Sequence, residues 1–379
     1  MRIEQRRWSE SNDWTLMEEA APGIDADLVL YFAASRLMEE AALRDDLRAA
    51  YPGAVLLGCS TAGEIGGTTV ADDSVVATAL DFEDSHVRAA YDSIEGPSDS
   101  AGAGERLASA LETEGLVHVF VLAEGIHVNG SELVEGLRRG LPAHVAVTGG
   151  LAADADRFER TVVRLDDESQ EGGVAVVGLY GDRLRIGYGS MGGWDPFGPE
   201  RLITRSRGNV LSELDGESAL DLYRRYLGRY AAELPASGLL FPLSLRGAES
   251  EPRVVRTILG IDESEGSLIF AGDVPEGGYA RLMRANVDRL IDGAHDAANA
   301  SHEALGGGAP DVAILISCVG RRLVLKQRVE EEIESVREVL GEGTKLNGFY
   351  SYGEIAPFRT SARCELHNQT MTITTISER

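Results

Sequence analysis

The sequence predicts an α/β fold of mixed sheets with crossover helices and antiparallel hairpins, internally duplicated in two domains. Three observations predict it. Strand-like apolar runs alternate with amphipathic helical segments along the chain. A short signature, Gly58-Cys59-Ser60-Thr61-Ala62-Gly63-Glu64-Ile65, returns as Gly348-Phe349-Tyr350-Ser351-Tyr352-Gly353-Glu354-Ile355, at a constant offset of 290 residues (348 − 58). The 379 residues suit two to three units of roughly 150 residues each. So long an offset exceeds any solenoid period, and it implies two related domains, 25–207 and 208–379, each bringing one polar glycine turn to a shared site.

Residues 27–33 read as a buried strand, 36–50 as an amphipathic helix, and 54–58 as a second strand running into the first signature. Residues 74–82 and 86–91 follow as antiparallel strands. The grammar then repeats: strand 117–122, helix 131–139, strand 144–148 and the turn Gly149-Gly150. Strands 173–180 and 184–188 flank Gly181-Asp182, a pair that tolerates the positive φ of a two-residue hairpin. Residues 202–214 read as strand. Residues 217–227 carry helical spacing closed by Gly228 as a C-terminal cap. Strands are expected at 239–245, 254–261 and 267–271, then a long helix over 279–304. Strand 312–317, helix 329–340 and strand 345–347 lead into the second signature, and 367–376 alternates as the last strand.

The formal charge is −26, from 62 acidic and 36 basic residues, of which only Lys326 and Lys345 are lysines. Such a surface repels phosphate backbones, so neither nucleic acid nor an anionic membrane is an expected partner. The first ten residues are charged and lack the apolar segment of an export signal. The longest apolar run, 312–319, falls far short of the 18 or so residues that span a bilayer. Cys59, Cys318 and Cys364 have no CxxC spacing, which indicates neither a disulfide framework nor structural zinc. A reducing cytoplasm is the expected location.

Several motifs have plain explanations. Gly187 to Gly192 fits G-x-G-x-x-G, but Gly193-Trp194-Asp195-Pro196 follows it instead of the helix a dinucleotide site requires. Gly58 to Gly63 is not the G-x-S-x-G of a nucleophile elbow. The seven histidines show no H-x3-H or HExxH spacing.

The signature at 58–65, Val128-Asn129-Gly130 with Thr148-Gly149-Gly150-Leu151-Ala152, Gly193 to Gly198, and 348–357 with His367-Asn368-Gln369-Thr370 together resemble the FIST family in its two-domain form, FIST N-terminal plus FIST C-terminal. The resemblance covers roughly residues 25–379. It implies a prokaryotic sensory module of signal transduction, proposed to bind small ligands such as amino acids. With no output domain in this chain, the signal would pass to a separate partner protein.

On that reading the two glycine turns face one ligand, because open α/β sheets bind at the carboxyl ends of their strands. Ser60, Thr61, Tyr350, Ser351 and Tyr352 would supply hydroxyls, with Cys59 and Gly63 in the same turn. Glu64 and Glu354 would accept from an ammonium group. Arg321 or Arg322 would clamp a carboxylate, and Asn129, Gly149 and Gly150 would complete a wall. The competing account makes the glycines turn formers and the glutamates caps of backbone donors. No cofactor or metal is expected, and the chain reads as a non-enzyme. Two alternatives stand beside this. The first is a haem-based nitric oxide sensor like some FIST-type proteins, with His127 or His367 as axial ligand. The second is an enzyme using Cys59 or Glu64.

Overall fold

The computed structural model describes residues 1–17, 23–247, 253–357 and 363–379. Three units built alike make up the body. Each has a parallel pair of strands joined by a crossover helix: Leu28–Ala33 with Val55–Ser60 through Ala41–Ala50, Leu116–Ala123 with Ala146–Leu151 through Gly130–Gly140, and Val312–Cys318 with Lys345–Ser351 through Val329–Leu340. A return strand lies antiparallel to the first member of each pair: Ser74–Asp81, Gly173–Tyr180 and Met371–Glu378. The outer neighbour of each return strand is lent by the preceding stretch of chain, Arg2–Ser9, or by the strand that leaves another unit, His86–Ser93 and Leu184–Met191.

Between the second strand and the return strand, each unit sends a short strand across to a neighbouring sheet. Glu64–Gly66 of the first unit pairs with Lys345–Ser351 of the third, Gly353–Pro357 of the third with Ala146–Leu151 of the second, and Val163–Leu165 of the second with Val55–Ser60 of the first. Three equivalent backbone hydrogen bonds close the ring: Ala62 N to Tyr350 O at 2.8 Å, Tyr352 N to Leu151 O at 3.3 Å, and Ala153 N to Ser60 O at 2.9 Å. The duplication read from the signatures thus extends to a third unit that lacks the signature. Gly58, Gly149 and Gly348 occupy equivalent places. A Cβ at Gly149 or Gly348 would lie 1.8 Å from the carbonyl oxygen of Val121 or Leu315.

The inner faces of the three sheets meet in an apolar core that includes Phe32, Cys59, Leu122, Ile316 and Phe349. The Phe32 and Phe349 rings sit 4.6 Å apart. Between Leu184–Met191 and the helix Val287–Ala304 the chain builds a separate nine-stranded sheet from strands lying between Asp195 and Arg284. Its own core, including Leu211, Tyr223, Leu245 and Phe270, forms against the helix Ala219–Leu227. The expected division at 207/208 falls between the paired strands Arg201–Arg207 and Val210–Leu214.

Several expected elements are revised. The first helix starts only at Ala41, because Glu40 is extended (ψ 106°) after a single 3-10 turn. The strands beside Gly181-Asp182 do not form a hairpin; each pairs within a different sheet, so this turn is a passage between units. Ser74–Asp81 and His86–Ser93 likewise part into different sheets. Residues 279–284 belong to the strand Tyr279–Arg284, and the long helix begins at Val287 behind the Asn286 cap. Gly149 and Gly150 lie within a strand, not in a turn. The last expected strand is two, Cys364–His367 and Met371–Glu378, interrupted where Gln369 takes φ +65°.

Candidate functional site

The signature residues hold the crossings together. Glu64 and Glu354 are buried, and every carboxylate oxygen is engaged. Glu64 accepts from Thr61 Oγ1 at 2.5 Å and from the Ser74 backbone N and hydroxyl at 3.2 and 2.7 Å. Glu354 repeats this with Ser351 Oγ at 2.6 Å and the Thr370 N and hydroxyl at 3.1 and 2.9 Å. Each glutamate therefore caps the start of its return strand, Glu64 at its first residue and Glu354 at the residue just before it. Burial pushes both carboxyls up to about 7.

The remaining signature residues are likewise committed to the interior. Ser60 Oγ accepts from Val162 N, and Gly63 N donates to Thr61 Oγ1. Tyr350 donates to Glu332 at 2.5 Å, and Tyr352 donates to Asp154. Cys59 packs in the apolar core, where burial pushes its thiol far up. Arg321 is fully buried against Glu332 at 2.7 Å and the carbonyls of Gly192 and Leu290. Arg322 joins Asp72 and Ala62 O. Asn129 caps the helix Gly130–Gly140, accepting from Ser131 N and Glu132 N. Gly149 and Gly150 face Val121 and Ile316. The side chains of the two signatures are thus bonded to interior partners, among them Ser74, Thr370, Glu332 and Asp154, in place of the shared ligand expected from the sequence. Cys59 and Glu64, the two groups of the enzyme alternative, are both buried.

The opening lies where the second unit departs from the pattern. Opposite Gly348 the crossing strand carries Ile65, and opposite Gly149 it carries Ile355; opposite Gly58 it carries Arg164. Val163 replaces the glutamate. The crossing is also longer, with Arg164 fifteen positions after Gly149 (164 − 149) and Ile65 and Ile355 each seven after their glycines (65 − 58 and 355 − 348). Asp154 organises the extra turn by accepting from the backbone N of Phe158, Glu159 and Arg160, each at 2.9 Å. Tyr352 stacks on Phe158 at 4.2 Å. Ala155 and Phe158 take φ of +65° and +54°, conformations costly for non-glycine residues and held here by those contacts.

Beside this turn is a cleft of about 580 Å³ lined by Glu39, Glu124, His127, Arg160, Arg164 and Glu171 among others. It lies just beyond the carboxyl ends of Leu28–Ala33 and Leu116–Ala123, the usual binding edge of such sheets. Glu124 is buried and accepts from Ile126 N at 3.0 Å, His127 N at 2.6 Å and the Thr161 hydroxyl, which fixes the loop bearing His127. The His127 ring has Nδ1 3.3 Å from Glu124 and Nε2 3.7 Å from Glu171. Arg160 pairs with Glu39. Arg164 donates through Nη2 to Met38 O at 3.3 Å, while its buried Nε has no partner among the described residues. An unpaired buried donor costs about 1–3 kcal/mol, which a carboxylate across that edge of the guanidinium would relieve. Of these residues only His127 drew notice in the sequence, through Gly125-Ile126-His127-Val128-Asn129-Gly130. Glu124 and Arg164 belong to no motif.

Haem does not fit either expected ligand. The His367 ring is buried and bonded to Ala356 O at 2.9 Å. His127 stands in a cleft walled by carboxylates and guanidinium groups, where a porphyrin needs an apolar slot. Among the described residues no group of three His, Cys, Asp or Glu is placed to hold a metal ion.

A polar cleft thus lies at strand ends, where one of three similar crossings diverges, in a protein of mixed α/β build. The chain belongs to the FIST family: the FIST N domain matches residues 27–217 and the FIST C domain residues 219–357, in tandem. FIST domains are sensory, ligand-binding modules of signalling proteins. An uncharacterized protein of Methanocaldococcus jannaschii is 22% identical over 263 residues, 62% of this chain and 49% of that protein, so the chain spans about half the length of this relative. Among solved structures it is similar to cyanuric acid hydrolase from A. caulinodans (TM-score 0.38, 9% identity, 94% of this chain and 90% of that one) and to a chorismatase (TM-score 0.35, 11% identity, 99% and 98%). Likenesses this slight carry no argument about activity. No helix among the described residues is long and apolar enough to cross a membrane.

Proposed function

We propose that the chain is a cytoplasmic sensory module that binds, without turning over, a small carboxylate-bearing metabolite such as an amino acid in the Arg164 cleft. It would signal through a separate partner protein. The observation that carries this reading is the uncommitted Nε edge of Arg164, at the one crossing that diverges from its two counterparts. The carboxylate of the ligand takes that edge, and the acidic wall of Glu39 and Glu171 receives an ammonium group. The negative surface, −26 overall, accords with a zwitterion better than with a polyanion.

A thermal-shift panel of amino acids and small organic acids tests it. A ligand that binds only the folded protein at a hundred times its Kd stabilises by about 2.7 kcal/mol, and Arg164→Gln is expected to lose that response. A panel without any hit, or a hit that Arg164→Gln retains in full, would refute the assignment.

A further inference from the structure

A second cleft, of about 670 Å³, opens beside the amino end of the strand Ala146–Leu151, at the other end of the second unit's sheet from Arg164. Three stretches of chain form it: the end of the helix Gly130–Gly140 with the turn after it, the strand Leu184–Met191 through Tyr188, and the strand pair Gly353–Pro357 and Cys364–His367. Val145, Val147 and Pro357 are buried and give it an apolar floor. Cys364 belongs to that floor. Its Sγ donates to Val147 O at 3.2 Å and burial pushes the thiol up, so it offers no nucleophile. The polar lining is of one kind: Arg138, Arg363, His144 and Tyr188 bring two guanidinium groups, an imidazole and a phenol, and no carboxylate of a described residue joins them. That departs from a chain with 62 acidic and 36 basic residues, and from the Arg164 cleft with its three glutamates. Glu135 takes Nη1 of Arg138 at 2.7 Å. The side chains of Arg363, His144 and Tyr188 make no hydrogen bond or ion pair with a described residue.

Uncommitted donors around an apolar floor match an acid that carries its charge at one end of a hydrocarbon body. We propose that this cleft binds such an amphipathic acid, its oxyanion head on the Arg363 guanidinium with His144 and Tyr188, and its hydrocarbon body on Val145, Val147 and Pro357. An ammonium group finds no carboxylate here, so the ligand differs in class from the zwitterion of the Arg164 cleft, with which this cleft shares no lining residue. The seated acid touches both the second unit and the strand pair that the third unit sends across to it.

The test uses the full chain, titrated in a calorimeter with butyrate, hexanoate and hexyl phosphate at ionic strength held constant with sodium chloride. Saturable binding of a hexyl acid is expected, and the tighter of hexanoate and hexyl phosphate identifies the head group. Hexanoate should bind at least about tenfold more tightly than butyrate, since each buried methylene is worth about fourfold. Arg363→Gln is expected to weaken binding by at least about tenfold, the equivalent of one charge-assisted hydrogen bond. Ala143→Glu sets a carboxylate in the lining at a second exposed position and is expected to abolish binding, while Arg164→Gln leaves it unchanged. The proposal is overturned if neither hexyl acid acts beyond chloride, if hexanoate binds no more tightly than butyrate, if Arg363→Gln and Ala143→Glu both bind as the parent does, or if binding is lost in Arg164→Gln and kept in Arg363→Gln.

Discussion

Replacing Glu354 by glutamine separates a capping carboxyl from a ligand-facing one. Burial raises the Glu354 carboxyl from 4.5 to about 7. The folded protein therefore holds a proton there between pH 4.5 and 7 that the unfolded chain has released, and stability from this group falls as pH rises through that window. Integrated between pH 5 and pH 8, the loss is about 2–3 kcal/mol. Glutamine is neutral throughout. Its carbonyl can still accept from Thr370, while its amide donates to the Ser351 hydroxyl, which must turn round. A pH-independent offset of about 1 kcal/mol is expected from that imperfect exchange. Urea unfolding of parent and Glu354→Gln at both pH values measures the difference. The variant should gain about 2–3 kcal/mol on the parent between pH 5 and pH 8, and Glu64→Gln should repeat the result, since Glu64 has the equivalent partners Thr61 and Ser74 and is also pushed up to about 7. Parallel pH profiles for variant and parent, or a variant that loses ground at pH 8, would show that burial does not hold a proton on this carboxyl.

Phe349→Ala removes a fully buried ring from the junction of the three sheets and is expected to cost about 3–5 kcal/mol in chemical denaturation. The three cysteines are buried with their thiols pushed up, so a thiol reagent at pH 8 should leave the native protein unmodified and react with all three in denaturant. Tyr352→Phe removes the hydrogen bond to Asp154 and should cost about 1 kcal/mol while increasing proteolytic cleavage within residues 154–161. These outcomes are read by unfolding curves, absorbance and mass spectrometry respectively.

The strands and helices of the body were legible in the sequence because each carries its own apolar period, and the signature disclosed two of the three crossings. The third was hidden. Its glutamate and isoleucine are replaced by Val163 and Arg164, and its greater length moves them out of register with Gly149. The strand Tyr279–Arg284 read as helix because Leu282 and Met283 continue the apolar spacing of the helix that follows. The chemistry of the signature is open to two readings for a physical reason. Glycine, hydroxyl and carboxylate side chains in a row suit a ligand or a buried strand crossing equally well, and only the partners Ser74 and Thr370 decide between them. Both lie ten or more residues downstream of the glutamates they satisfy. The cleft residues Glu124 and Arg164 are forty positions apart (164 − 124) and become neighbours only through the ring of crossings.

Calorimetry of a carboxylate-bearing ligand from the panel against the parent, Arg164→Gln and Glu354→Gln tests most directly where the ligand binds. Binding to the parent and to folded Glu354→Gln is expected with similar Kd, and a loss of at least about tenfold in Arg164→Gln. Full binding in Arg164→Gln together with loss in folded Glu354→Gln would contradict it and return the site to the signature.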